Sequence, residues 1–238
     1  MNPVKMAYVA VWVLAVLGCA GCGLFSSESE QARLPVPKFV SKTADTAFVE
    51  HGIDAIPEAD GIFLEWFSPP GEAVSGTKIF RRPEGQKKFA FLAKVELPET
   101  TFVDFDVAIQ RSYSYYLMFY GKSNSGESAH SDTVHYFLFP KPENLHAAAG
   151  GRPLFSWTYA ETPPLEYLLR LESGGGARLI WQAGVVSYDP VIQVFYNFDG
   201  SARLDSLKPE QSYRWRVDVV GPDLYSGAES KWSWIKSK

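Results

Sequence analysis

Two decapeptides 100 residues apart constrain this 238-residue chain more than anything else in it. Residues 112–121 read SYSYYLMFYG and residues 212–221 read SYRWRVDVVG. Laid on each other without gaps, each opens on Ser-Tyr, alternates, and closes on Gly. Strand side chains point to opposite faces with a period of two. Tyr113, Tyr115, Leu117 and Phe119 therefore share one face of a strand, and Tyr213, Trp215, Val217 and Val219 share one face of another. Both copies present an apolar face to a core.

The correspondence extends upstream. GIFLEWFSPP (61–70) places Trp66 at the end of an apolar strand, and RPLFSWTYAETPP (152–164) does the same for Trp157. Each tryptophan is followed within seven residues by Pro-Pro. The Trp-to-Tyr separations are 47 and 56 residues, close enough for one topology with loop insertions. LPVPKF (34–39) precedes the first copy and FPKPENL (139–145) the second. Between these landmarks the chain reads as short alternating runs punctuated by Gly, Pro, Asn and Asp about every ten residues, without a long amphipathic helix. That is the pattern of antiparallel sandwiches, and about 100 residues per copy suffices for a core.

On these residues the chain resembles tandem fibronectin type III domains, over 35–139 and 140–238. TFVDFD (101–106) precedes the penultimate strand of copy one. SLKPEQSYRWRV (206–217) matches the family's Leu-x-Pro-x-x-x-Tyr-x-x-x-Val run, and GKSNSGESAHSDTV (121–134) resembles the approach to its last strand. The resemblance implies an all-β fold of two immunoglobulin-like antiparallel β-sandwiches. In it Trp66 and Trp157 are buried tryptophans of the second strand, and Tyr113 and Tyr213 are tyrosine-corner residues. Copy one departs from copy two by about 14 extra residues before its tryptophan, within SKTADTAFVEHGIDAIPEAD (41–60). This segment is an extra edge hairpin, a long loop after the first strand, or a contact surface. The short, proline-stiffened junction FPKPEN (139–144) leads us to expect the halves end to end with limited flexing.

The chain begins with one lysine, Lys5, and then an apolar run over residues 6–17 of about a dozen residues, the layout of a cleaved signal peptide over 1–18 and short of the roughly 20 residues a spanning helix needs. Gly18, Ala20 and Gly21 surround the only cysteines, Cys19 and Cys22. Here the chain resembles a bacterial lipoprotein signal, which implies acylation, palmitate included, at Cys19, with Cys22 as the alternative. Several acyl chains would make attachment durable where one would not. Ala20 stands where an aspartate would imply inner-membrane retention, so the resemblance implies an outer-membrane lipoprotein. GLFSSESEQAR (23–33) then reads as a flexible tether, within a lipidated leader over 19–34.

Catalytic chemistry finds no constellation. His51, His130, His135 and His146 stand apart from one another and from Cys19 and Cys22, so no metal or redox site is expected. SGGGAR (173–178) precedes another strand and reads as a hairpin loop rather than a phosphate cradle. Asp104 with Asp106, and Asp199 with Asp205, read as strand-end carboxylates. Without residues 1–18 the chain loses one of its 23 cationic side chains, leaving 22 against 27 acids, a formal −5. That balance argues against nucleic acid. The remaining signal is aromatic: VFYNF (194–198), Tyr225, and Trp181, Trp232 and Trp234 as a binding surface. We expect no enzyme and no cofactor, but an envelope scaffold that binds a protein partner. An accessory carbohydrate-binding or enzymatic module of the cell envelope, with exposed stacked tryptophans as its first sign, is the alternative.

Overall fold

Each alternating decapeptide becomes the long central strand of a sheet. The computed structural model describes residues 34–122, 126–160, 166–176 and 178–238; the signal peptide, Cys19, Cys22 and the tether to residue 33 lie outside them. In the first half a three-stranded sheet, β1 (Asp54–Ala55), β2 (Ile62–Glu65) and β5 (Thr101–Asp104), takes the order β1-β2-β5. Facing it are β3 (Val74–Pro83), β4 (Ala90–Glu96), β6 (Arg111–Gly121) and β7 (Val134–Leu138), in the order β4-β3-β6-β7.

The second half repeats the plan. β8 (Glu143–Ala147), β9 (Leu154–Thr158) and β12 (Val191–Phe195) form one sheet. Opposite lie β10 (Glu166–Ser173), β11 (Leu179–Val185) and β13 (Ser212–Val220), where β14 (Ser226–Glu229) and β15 (Ser233–Lys236) both pair with β13. Pairing within each half is antiparallel throughout.

Alternation places the cores as expected. Trp66, Tyr113, Tyr115, Leu117 and Phe119 are buried in the first, and Trp157, Tyr213, Trp215, Val217 and Val219 in the second. Leu34, read as the end of the tether, is also buried in the first core. The corner tyrosines act alike: Tyr113 Oη accepts the amide of Ala108 at 2.8 Å, and Tyr213 Oη that of Lys208 at 3.0 Å. Each ties its strand to backbone five residues upstream. A second equivalence closes the sandwiches. Ser131 Oγ accepts the Leu117 amide and Ser230 Oγ the Val217 amide, both at 2.9 Å, so a side chain satisfies a backbone donor that would otherwise be buried without a partner.

The halves are not joined simply tip to tip, which corrects the end-to-end expectation. β14 pairs with β7 in parallel, the Phe137 amide donating to the Tyr225 carbonyl and the Phe139 amide to the Gly227 carbonyl, both at 2.9 Å. The four-stranded face of the first half thus runs into the corresponding face of the second, giving one nine-stranded sheet. Gly227 permits the approach, because a Cβ there would lie 2.8 Å from the Val219 carbonyl oxygen and 3.0 Å from Tyr136 Oη.

Two of the three readings for 41–60 are observed in the extra residues of copy one: Asp54–Ala55 make an edge hairpin with β2, and the residues before them form a strap across this seam, a contact surface. Gly52 turns the strap in a left-handed conformation, φ 88°. A side chain there would strike the backbone of Lys42. Lys42 is buried and holds Asp45 and Asp54, while Tyr136 donates to Asp54 at 3.0 Å. From the second half, Arg170 donates to the carbonyls of Asp45, Ala47 and Phe48 at 2.8–3.0 Å. Lys141, in the junction, donates to the carbonyls of Ile56 and Glu229. The described residues form one compact unit.

Candidate functional site

A buried cluster of charges lies under the strap. Carboxylate oxygens of Glu50, Asp218 and Glu229 come within 4.8 Å of one another, an arrangement with cation-binding potential. Arg216 takes the position a cation would occupy. Its Nη2 donates to Glu50 and its Nη1 to Glu229, each at 2.7 Å, and its Nε lies 2.9 Å from Asp218 Oδ1 as an ion contact rather than an aligned hydrogen bond. Arg170 reaches the other oxygen of Glu50 at 2.9 Å. Burial pushes the Asp218 carboxyl up to about 7 against the pull of Arg216, with Glu50 adding to the rise. Burial likewise raises Glu229 well above the usual range. Burial opposes the Arg216 charge, but Asp218, Glu229 and Glu50 more than offset it and hold the guanidinium protonated. The space left beside these groups is about 10 Å³, at the limit for one water. Chemically this is an interlock between the halves, closed to a substrate.

The tryptophans predicted as a binding surface separate. Trp181 is 1% exposed, which corrects its assignment: its indole is core, packed edge-on against Tyr196 and Phe198, with Nε1 donating to Asp199 at 2.9 Å. Trp232 is half-buried beneath two guanidiniums, Arg214 at 4.0 Å and Arg216 at 5.0 Å from its ring centre. Trp234 is 61% exposed and sits opposite Arg214 in the β13–β15 ladder. Three tryptophans therefore do not make one sugar-stacking platform.

Other candidates resolve into structural contacts. Asp104 and Asp106 share Arg81, and buried Asp104 also accepts from Tyr115 Oη at 2.9 Å. His51 meets Glu65 at 3.1 Å, His130 packs beside Tyr116, His135 beside Tyr225, and His146 lies on β8. SGGGAR falls between β10 and β11, which pair as a hairpin.

The open surface that sequence reasoning passed over is the outer face of β4-β3-β6. Phe80 stacks on Tyr116 at 4.7 Å, Phe91 meets Phe80 edge-on at 5.8 Å, and Phe89 lies 4.7 Å from Tyr116. Phe91 is 57% exposed. Cations lie over the rings: Arg82 is 4.8 Å from the centre of Phe89 and Lys94 is 4.2 Å from that of Tyr120. The signal was present in the even positions Lys78, Phe80 and Arg82 of β3 and Tyr116, Met118 and Tyr120 of β6, the face opposite the core-facing set. Along the same sheet, an apolar cleft of about 310 Å³ opens at the seam, lined by His135, Phe137, Phe139, Pro222 and Tyr225.

Three strands packed on a larger sheet in each half, with a tyrosine at each corner, define an all-β tandem of fibronectin type III-like sandwiches. No protein-family model matches the chain, and no curated protein matches it. Among solved structures it is similar to the FN1–FN3 domains of chicken CNTN1, at 15% identity and a TM-score of 0.36 over 80% of this chain and 71% of that one. It is also similar to a two-domain fibronectin type III segment of chicken tenascin, at 12% identity and a TM-score of 0.32 over 83% of this chain and 94% of that one.

Proposed function

We propose that the protein is a lipid-anchored scaffold of the bacterial cell envelope, a binding or assembly module rather than an enzyme. The observation that carries the binding role is the outer face of β4-β3-β6, where ordered rings and cations lie open on a sheet whose other face is core. The interlock under the strap supports a role in which the two sandwiches act as one body. The leader supports anchoring: a short apolar run followed by Cys19 and Cys22 fits acylation, with Cys19 favoured, and the absence of aspartate after it fits the outer membrane. Such a tether would hold the sandwiches off the bilayer, within reach of envelope proteins.

Two measurements test this. Metabolic labelling with a fatty acid should mark the wild type and not Cys19→Ser; label retained in Cys19→Ser and lost in Cys22→Ser moves the site, and no label in the wild type removes the anchor. Crosslinking on intact cells should capture a defined envelope protein with the wild-type chain. Absence of any captured protein rejects the scaffold reading.

A further inference from the structure

We propose that the outer face of β4-β3-β6 receives an acidic, extended polypeptide segment of a partner, laid beside the free edge of β4. The proposal rests on the scaffold reading and deepens it by naming the face and the chemistry that fits it.

Three observations converge on this face. The first is the ring array of Phe80, Phe89, Phe91 and Tyr116, with Phe91 standing into solvent. Rings fixed by mutual contact lose little entropy when a partner covers them, which makes aromatic side chains efficient contact surface. The second is charge. Lys78, Arg82 and Lys94 project from the face, and Lys87 and Lys88 from the turn beside it, against Glu84, Glu96 and Glu127. Glu127 is already engaged by Lys78. The local balance is thus positive on a chain whose net charge is −4. Among the described residues Arg82 and Lys94 are held over rings rather than paired with acids, so they can meet an incoming carboxylate without first breaking an ion pair.

The third observation is the edge. β4 ends the sheet order beyond β3, so among the described residues one side of its seven-residue backbone has no strand partner. A row of unpaired amides and carbonyls is a template for an added strand. A segment added there would pass its alternate side chains over Phe91 and Lys94, and backbone pairing would supply affinity while the cations select for acid. The other terminal strand, β11, ends the sheet in the second half, but no comparable array of rings and unpaired cations accompanies it among the described residues. Neutral glycans would use the rings without needing the cations, and so make the competing outcome.

The experiment uses the full chain in detergent, with a random glutamate–tyrosine copolymer as the probe and cellohexaose as the neutral glycan. Wild type should bind the copolymer, more weakly as salt rises. Arg82→Glu combined with Lys94→Glu should weaken binding by about tenfold or more, and so should Phe91→Ala, while Trp234→Ala should leave it unchanged. All three are surface changes, and thermal unfolding should confirm wild-type folding. No binding by wild type overturns the proposal, as does equal binding by the charge-reversed protein. Cellohexaose binding lost in Phe91→Ala and retained on charge reversal overturns it in favour of a glycan. If these variants still capture the wild-type envelope partner in cells, the assignment of this face fails while the scaffold reading survives; if the wild type captures none, the scaffold reading itself fails.

Discussion

Glu50 and Arg216 are 166 positions apart in the chain and 2.7 Å apart in the fold. One carboxylate there serves two guanidiniums, since Arg170 takes its other oxygen. Both arginines are buried, so their charges have little recourse to water. The contact lies between a strap of the first sandwich and the sheet of the second, and it makes the relative placement of the halves a matter of charge pairing as well as strand pairing.

Removing that carboxylate should therefore be costly. Glu50→Ala leaves two buried guanidiniums short of an acceptor. Arg170 keeps three carbonyls and Arg216 keeps Asp218 and Glu229, so the loss should fall near the low end for a broken buried pair, about 3 kcal/mol. Urea unfolding of wild type and variant checks this. A loss below about 1 kcal/mol would show that the strap does not hold the halves.

The same cluster should make stability depend on pH. Three carboxylates face two guanidiniums, and burial pushes Asp218 up to about 7, from an ordinary value of 3.8. A folded-state value above the unfolded one means that the fold binds this proton more tightly, so protonation stabilises. The contribution of Asp218 is fully present below about pH 4 and is lost as pH rises through about 7. Glu229 shifts in the same direction. Asp218→Asn should flatten the part of the stability curve between about pH 4 and 7; melting temperatures across that range, unchanged in slope, would contradict the assignment.

Tryptophan burial offers a contrast between two residues that look alike in sequence. Trp181→Ala removes a buried indole and should cost about 3–5 kcal/mol. Trp234→Ala, on the solvent side of β15, should stay within about 0.5 kcal/mol. Chemical denaturation of the two variants in parallel decides it, and a Trp234 loss as large as that of Trp181 would place Trp234 in a covered surface.

Much of the architecture was legible because a period of two, written twice, puts Tyr113 and Tyr213 at equivalent corners and Trp66 and Trp157 in equivalent cores. The joint was not. Arg170, Arg216 and Asp218 occupy positions that alternation assigns to the outer face, where solvent is the ordinary neighbour, and they are buried only because residues 44–50 arrive from the other half. The strap itself is rich in charge and reads locally as a solvated loop. The parallel seam rests on two backbone bonds at Tyr225 and Gly227, and backbone pairing between distant strands leaves no pattern in side chains. Trp181 misled for a related reason: β11 is apolar on both parities, Ile180 and Trp181 both being buried, so alternation could not say which way the indole turned.

The strap also sets an order of events during synthesis. A chain leaves the ribosome from its N-terminus, and domains generally fold in that order. Residues 44–50 emerge early, yet their partners Arg170 and Arg216 are 120 to 166 residues behind them. The first sandwich can close its own core around Trp66 while the strap waits, with Glu50 still in water. Completion of the amino-terminal half is thereby deferred until nearly the last strand has been made, and a chain cut short before β13 would carry an unfinished edge at its beginning rather than at its end.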